Sequence, residues 1–229
     1  MNIGDNEMYD ILYRVLAIII GYVFGLFQTG YLYGRMNNID IREYGSGNAG
    51  TTNAMRVLGK KAGIITYFGD ALKGVFCGLF IRLVFDLGIG LDLSFVFVLV
   101  LYGGLGVVLG HNFPFYMNFK GGKGIAAISG VIVSLLDWKL IIIAAVAFFG
   151  IAFISKYVSL GSICMVILFF GFTVLFGQLD MLPISNSAHA VETYILVFLM
   201  SALAIFKHRE NIKRLLNGTE RKIGEKKND

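Results

Sequence analysis

Apolar residues gather along the chain into seven runs, near 11 to 33, 62 to 85, 93 to 110, 125 to 136, 140 to 155, 159 to 179 and 191 to 206. Most reach the roughly 17 to 25 residues an α-helix needs to cross hydrocarbon. The fourth is short, and Asp137, Trp138 and Lys139 part it from the fifth, so one reading of that region is a re-entrant segment. Asp5, Glu7 and Asp10 precede the first run and no small-residue cleavage site follows it, so it is expected to stay in the mature chain. The pattern predicts an all-α, polytopic integral membrane protein: one seven-helix transmembrane domain over residues 1–224 and a solvated basic tail over 225–229.

Composition agrees. Hydrophobic residues make up 56% of the chain and charged ones 15%, with a mean hydropathy of +0.72, whereas a water-soluble domain carries about a quarter charged residues. Twenty-nine glycines against two prolines suit helices that approach closely in lipid. Cys77 and Cys164 lie inside apolar runs, read as small buried hydrophobes, and say nothing about redox compartment.

Charge placement decides the topology. If all seven runs cross, sixteen of the twenty Lys and Arg fall on one side: in the loop from Arg35 to Lys61, at Lys120 and Lys123, at Lys156, and in the tail from Lys207. Arg14, Arg82 and Lys139 fall near the other side, among Asp86, Asp92, Asp137, Asp180 and Glu192. The positive-inside rule puts the basic loops and the C-terminus in the cytoplasm and the N-terminus outside. Removing the fourth crossing would send the basic tail outward, against that rule. The net charge of +5 is thus a matter of topology, and nucleic-acid binding is not needed to explain it.

Polar residues able to do chemistry sit in three segments, all on the basic side. The first runs from Gly45, Ser46, Gly47 and Asn48 through Thr52 and Asn53 to Arg56. Its glycines permit close backbone approach to a ligand, and its hydroxyls and amides suit a helix start, with Thr52 and Asn53 on roughly the face of Arg56. The second comprises Gly110, His111, Asn112, Phe113 and Pro114, then Lys120, Gly121, Gly122, Lys123 and Gly124 opening the fourth run. A glycine-rich turn leading into a helix offers unpaired N–H groups and the positive dipole end to a phosphate. It is not a Walker loop, because Gly124 stands where Ser or Thr is required, and no nucleotide hydrolysis follows. The third starts at His208 and Arg209, with Asn211 on the face of His208 and Gly218 as the stop of a short basic helix. Asp70 and Lys73 lie deep in the second run and are expected to pair and support the site. His189 is expected to be solvated in an outer loop.

These three segments, in this order and spacing, closely resemble the bacterial acyl-phosphate:glycerol-3-phosphate acyltransferase family known as PlsY. The likeness extends from the first run to the tail. Leu26, Phe27 and Gln28 stand where that family usually has a Ser-Ile-Pro-like stretch, Thr51 replaces a common Ala, and Ala127 a common Thr. The resemblance implies transfer of a fatty acyl group from acyl phosphate to the 1-hydroxyl of glycerol 3-phosphate at the cytoplasmic face of the bacterial inner membrane. Lysophosphatidic acid and inorganic phosphate are the products, with no cofactor, metal, nucleic acid or obligate protein partner. It carries activity to Ser46 and Arg56, phosphate binding to the glycines and lysines of the second segment, a third active segment to His208 and Asn211, and a structural carboxylate to Glu220.

Since acyl phosphate already bears a good leaving group, positioning and charge stabilisation are expected to dominate. The competing chemistry makes Ser46 a nucleophile activated by His208. Two other classes compete with an enzyme. A transporter for a phosphorylated metabolite would place its site near the midplane and often show repeated halves, whereas the polar segments here end spans and no repeat is visible. A scaffold binding anionic lipid explains the basic tail but not the glycines.

Overall fold

The computed structural model describes residues 3–225; the side chains of Asp5 and Glu7, and the tail expected beyond Glu225, lie outside the described residues. Every apolar run is helical. The order is α1 Ile3–Gly25, α2 Thr29–Met36, α3 Thr51–Leu58, α4 Lys60–Arg82, α5 Leu93–Asn112, α6 Ile125–Ser134, α7 Trp138–Ala145, α8 Ile151–Ser155, α9 Val158–Gln178, α10 Ala190–Lys207 and α11 Arg209–Leu216. A π-helical turn over Val146–Gly150 joins α7 to α8. Among the described residues, five stretches are long and apolar enough to cross a membrane: Met8–Met36, Leu93–Met117, Trp138–Ser155, Val158–Gln178 and Ala190–Lys207. Helix α4 has the length, at 23 residues, but carries Asp70 and Lys73. The ten residues of α6 extend only about 15 Å.

Helix α5 is the axis, buried along nearly its whole length, with α1, α4, α6 and α10 packed around it. Small residues set the distances. A side chain at Gly21 would meet the backbone of Gly103, and one at Gly110 would meet Tyr22 and Gly25, so α1 and α5 touch backbone to backbone; Gly74 and Gly130 do the same for α4 and α6. Cys77 is buried at the α4 side of this core, whereas Cys164 is only partly covered.

The first run is not one helix. It breaks between Gly25 and Thr29, and backbone groups freed in an apolar setting must find partners. The Lys73 ammonium takes the carbonyls of Phe27 (2.7 Å) and Gly25 (3.3 Å). Asp70 Oδ1 accepts from the backbone N–H (3.4 Å) and hydroxyl (3.2 Å) of Thr29 at the start of α2. A cation thus sits on the negative end of α1 and a carboxylate on the positive end of α2. Gln28 completes the joint, its Nε2 donating to Gly25 O, Gly110 O and His111 O. Asp70 and Lys73 also pair with each other at 3.1 Å, both buried, as expected of a supporting pair.

Away from the loops, Arg14 of α1 forks onto Glu192 of α10 at 2.5 and 2.9 Å, and Tyr102 of α5 donates to the same carboxylate at 2.6 Å. His189, expected in water, instead stacks on Phe95 (5.0 Å) and hydrogen-bonds Glu192 (3.3 Å). The cause is the 180–190 loop itself, which tucks Leu182 and Ile184 into the core. Arg82 donates to Ser134 O and Leu135 O, capping the carbonyl end of short α6.

Candidate functional site

The first segment is shaped by one buried amide. Asn53 is 1% exposed; its Oδ1 accepts from Ser46 N at 2.8 Å, and its Nδ2 donates to Ile41 O and Tyr44 O at 3.0 Å. A side chain at Gly45, where φ is +64°, would run into Asn53 Oδ1. Asn53 therefore turns inward as the hub of the loop, not onto the exposed face of Thr52 and Arg56 as the spacing suggested. The helix start also differs. Gly50 is the N-cap of α3 with no side-chain cap, and Asn48 holds it by accepting from Gly50 N at 2.9 Å. Ser46, Thr52 and Arg56 remain exposed. Among the described residues Arg56 forms no ion pair.

The second segment folds back on the end of α5. Gly121 N donates to Asn112 O (3.2 Å) and Gly122 N to His111 O (3.0 Å), so these two N–H groups are committed to the protein. The unpaired donors expected from the glycines belong instead to Lys123, Gly124 and the first turn of α6. Gly124 is the left-handed N-cap there. A side chain at Gly121 would strike His111 O, and one at Gly122 would strike His111 Nε2, which is why both must be glycine. Asn112 is fully buried beside Gly124, with neither polar atom of its side chain partnered. Lys120 is exposed, on the rim of the turn.

The third segment closes the cluster. His208, buried at the end of α10, has Nδ1 2.7 Å from Ala204 O; a carbonyl only accepts, so Nδ1 carries the proton and Nε2 presents its lone pair. Lys123 Nζ donates to Asn211 Oδ1. Asn211 Nδ2 donates to Glu220 (2.7 Å), which also receives Ser159 (2.9 Å) and Arg214 (2.6 Å). Lys207 donates to Asn112 O at 3.2 Å, tying α10 to the second segment. The first segment joins through Arg42, paired with Asp40 and donating to Met117 O at 3.1 Å, over a small core of Ile41, Ala49, Ala54, Ala62 and Met117. All three segments therefore meet at one end of the bundle.

Electrostatics tune this cluster. Burial, reinforced by the neighbouring Arg214 charge, brings the Lys123 ammonium down to about 8. Burial and the Lys123 charge bring the His208 imidazole down to about 4, so it is neutral at pH 7. Burial would raise the Glu220 carboxyl, but hydrogen bonds from Asn211, Arg214 and Ser159 outweigh it and hold the group below its ordinary value. The Arg56 guanidinium, on an exposed residue, is lowered by partial desolvation and then by the Arg221 charge. In sequence no role falls to Ser159 or Lys207, which lie among apolar neighbours and at the start of a basic tail, and Gln28 stands out only as part of a departure from the family pattern. No hydrogen bond links Ser46 to His208, and no group of three or more metal-ligating side chains occurs, among the described residues.

A bilayer-length helical bundle with a cluster of cations and unpaired N–H groups at one end defines a polytopic membrane protein equipped to receive an anion. The family model described as glycerol-3-phosphate acyltransferase matches residues 15–218, and the chain belongs to that family. It is an integral membrane acyltransferase serving phospholipid synthesis. The glycerol-3-phosphate acyltransferase of Alkaliphilus metalliredigens (strain QYMF) is 41% identical over 217 residues, covering 93% of this chain and 97% of the relative. That of Clostridioides difficile (strain 630) is 39% identical over 219 residues, covering 95% and 99%. The crystal structure of PlsY, an integral membrane glycerol 3-phosphate acyltransferase, in its glycerol 3-phosphate form superposes with a TM-score of 0.76 at 33% identity, over 92% of this chain and 96% of that one. Its lysophosphatidic acid form gives 0.74 at 32% identity, over 92% and 95%.

Proposed function

We propose that this enzyme moves a fatty acyl group from acyl phosphate to the 1-hydroxyl of glycerol 3-phosphate, at a site facing the cytoplasm. The observation that carries the reading is the side chain of Asn112, buried, unpartnered and set beside Gly124, the N-cap of α6 that follows Lys123. A buried amide with neither atom satisfied costs about 1–3 kcal/mol unless a ligand answers it. Phosphate oxygens brought there would meet that amide, the Lys123 ammonium and the free N–H groups of the first turn.

In this reading Arg56 and Lys123 hold the phosphates, Ser46 and Thr52 line the approach, and Asn211 keeps Lys123 in place. The hydroxyl oxygen of glycerol 3-phosphate attacks the acyl carbonyl carbon, the bond to phosphate breaks, and the departing phosphate takes the hydroxyl proton. Ester and inorganic phosphate leave, and no external base is consumed. A neutral imidazole with a value of about 4 is a weak base at pH 7. It fits His208 as an acceptor that orients the hydroxyl through Nε2, and it speaks against an acyl-enzyme on Ser46.

We further infer seven crossings with the N-terminus outside. Lys123, Ser159 and Glu220 are linked, and Ile223 N donates to Lys156 O at 2.8 Å, so α6 leaves that end of the bundle and α7–α8 returns to it. Purified protein given glycerol 3-phosphate with acyl phosphate or with acyl coenzyme A tests the donor. Lysophosphatidate is expected from acyl phosphate alone. Product from acyl coenzyme A alone overturns the donor, and product from neither overturns the enzyme reading.

A further inference from the structure

We propose that Lys73 is a positioning residue for acyl transfer: it holds His111 with its proton on Nε2 and so aims an N–H group at the glycine turn that, on the reading above, receives substrate phosphate. Lys73 Nζ lies 2.8 Å from His111 Nδ1. The same nitrogen contacts Asp70 Oδ1 at 3.1 Å, Phe27 O at 2.7 Å and Gly25 O at 3.3 Å. Three of these four neighbours are oxygens that only accept. The carboxylate and the two carbonyls call for the ammonium form, whose three N–H bonds go to Phe27 O, His111 Nδ1 and Asp70 Oδ1, the long Gly25 O contact sharing one of them. An ammonium donates and never accepts. His111 Nδ1 must then be the acceptor, and a neutral imidazole that accepts at Nδ1 carries its proton on Nε2.

The alternative partner for Nδ1 is too distant. Asp70 Oδ1 is 3.8 Å from it, beyond a hydrogen bond, so the carboxylate orients Lys73 and leaves the ring to the ammonium. The opposite edge of the ring abuts the turn. A Cβ built on Gly122 falls on Nε2, with Cε1 at 2.7 Å and Cδ2 at 3.0 Å. Among the described residues Nε2 has no hydrogen-bond partner, and the next residue, Asn112, has none for its side chain. Two consecutive residues thus offer polar groups to the same turn.

The array is charge-balanced, Asp70 against Lys73, so it fixes orientation and adds no net attraction. It also connects two structures that the sequence keeps apart. The ammonium that closes the break between α1 and α2 also sets the tautomer of a ring about forty residues away in sequence, beside the turn. A helix joint and a ligand turn are held by one group.

The test uses the full chain in lipid nanodiscs with nitrogen-labelled histidine. Long-range proton–nitrogen spectra report the tautomer of each of the three imidazoles, and His111→Asn assigns one of them. Wild type is expected to show Nδ1 bare and Nε2 protonated at neutral pH. Lys73→Met alone would leave Asp70 unpaired, so it is made together with Asp70→Asn. That double variant is expected to lose the single tautomer and to raise KM for glycerol 3-phosphate or acyl phosphate about tenfold, the worth of one hydrogen bond to an anion, with kcat little changed. Lys73→Arg, also donor-only, is expected to keep the tautomer and recover part of the affinity. A wild-type ring protonated on Nδ1 overturns the proposal, as does a folded double variant with the tautomer and both KM values intact. If the double variant does not fold, the wild-type and Lys73→Arg spectra decide. Absence of turnover by the wild type with every donor would defeat the acyl-transfer reading and leave the tautomer result standing.

Discussion

The two halves of the bundle use charge in opposite ways. Away from the loops, charges are consumed by the protein: Arg14 by Glu192, Arg82 by the last carbonyls of α6, Lys139 by Asp137. At the loop end Arg42 and Arg214 are paired with Asp40 and Glu220, but Lys123 and Arg56, the cations beside the glycine turn and the first segment, have no carboxylate partner among the described residues. Lys123 rests on an amide, Arg56 forms no ion pair among the described residues, and Glu220 is occupied holding Asn211, Ser159 and Arg214. The first arrangement staples helices together. The second keeps positive charge available, at some expense in self-repulsion, which is the mark of a site awaiting an anion.

That contrast can be broken from either side. The largest effect is expected at the loop end: Arg56→Ala should lower kcat/KM by about 10²–10³, the loss of a charged group acting on the transition state, with the melting temperature unchanged because Arg56 is exposed. A drop in stability that tracks the loss of activity would make Arg56 another staple. Next comes Arg14→Met, which leaves the Glu192 carboxylate without its cation, held only by Tyr102 and His189. Thermal unfolding in detergent should show a loss of about 2–3 kcal/mol, with KM of the remaining folded enzyme unaltered. The smallest and sharpest effect is in pH. Lys123 is protonated below about 8 and loses its charge above it. KM for the phosphorylated substrates, whose own second ionisation is complete by then, should therefore rise as pH passes that point. Lys123→Arg, charged throughout, should remove the rise, and a rise that persists in that variant assigns the titration elsewhere.

The helices and the three polar segments were legible in sequence because their signals are local: apolar runs of bilayer length, glycines beside lysines, basic residues on one side. What was hidden depends on partners far along the chain. The break at Leu26, Phe27 and Gln28 is invisible in an apolar run without proline, because the groups that satisfy it, Asp70 and Lys73, come from α4. Asn53 reads as a surface amide until the loop wraps around it. His189 reads as a loop residue until Leu182 and Ile184 draw its segment inward. The N–H groups of Gly121 and Gly122 read as free until the turn folds onto α5.

The joint between α1 and α2 also bears on how the chain enters the bilayer during synthesis. Until α4 arrives, the Gly25 carbonyl has only Gln28 to answer it and the Phe27 carbonyl waits for Lys73, and until α1 is beside it α4 carries two ionised side chains that lipid rejects. Neither segment is a comfortable solitary resident of the membrane. Biogenesis must deliver them as a couple, and a chain that lost the Lys73 charge while keeping Asp70 would face quality-control proteolysis before catalysis is ever at issue.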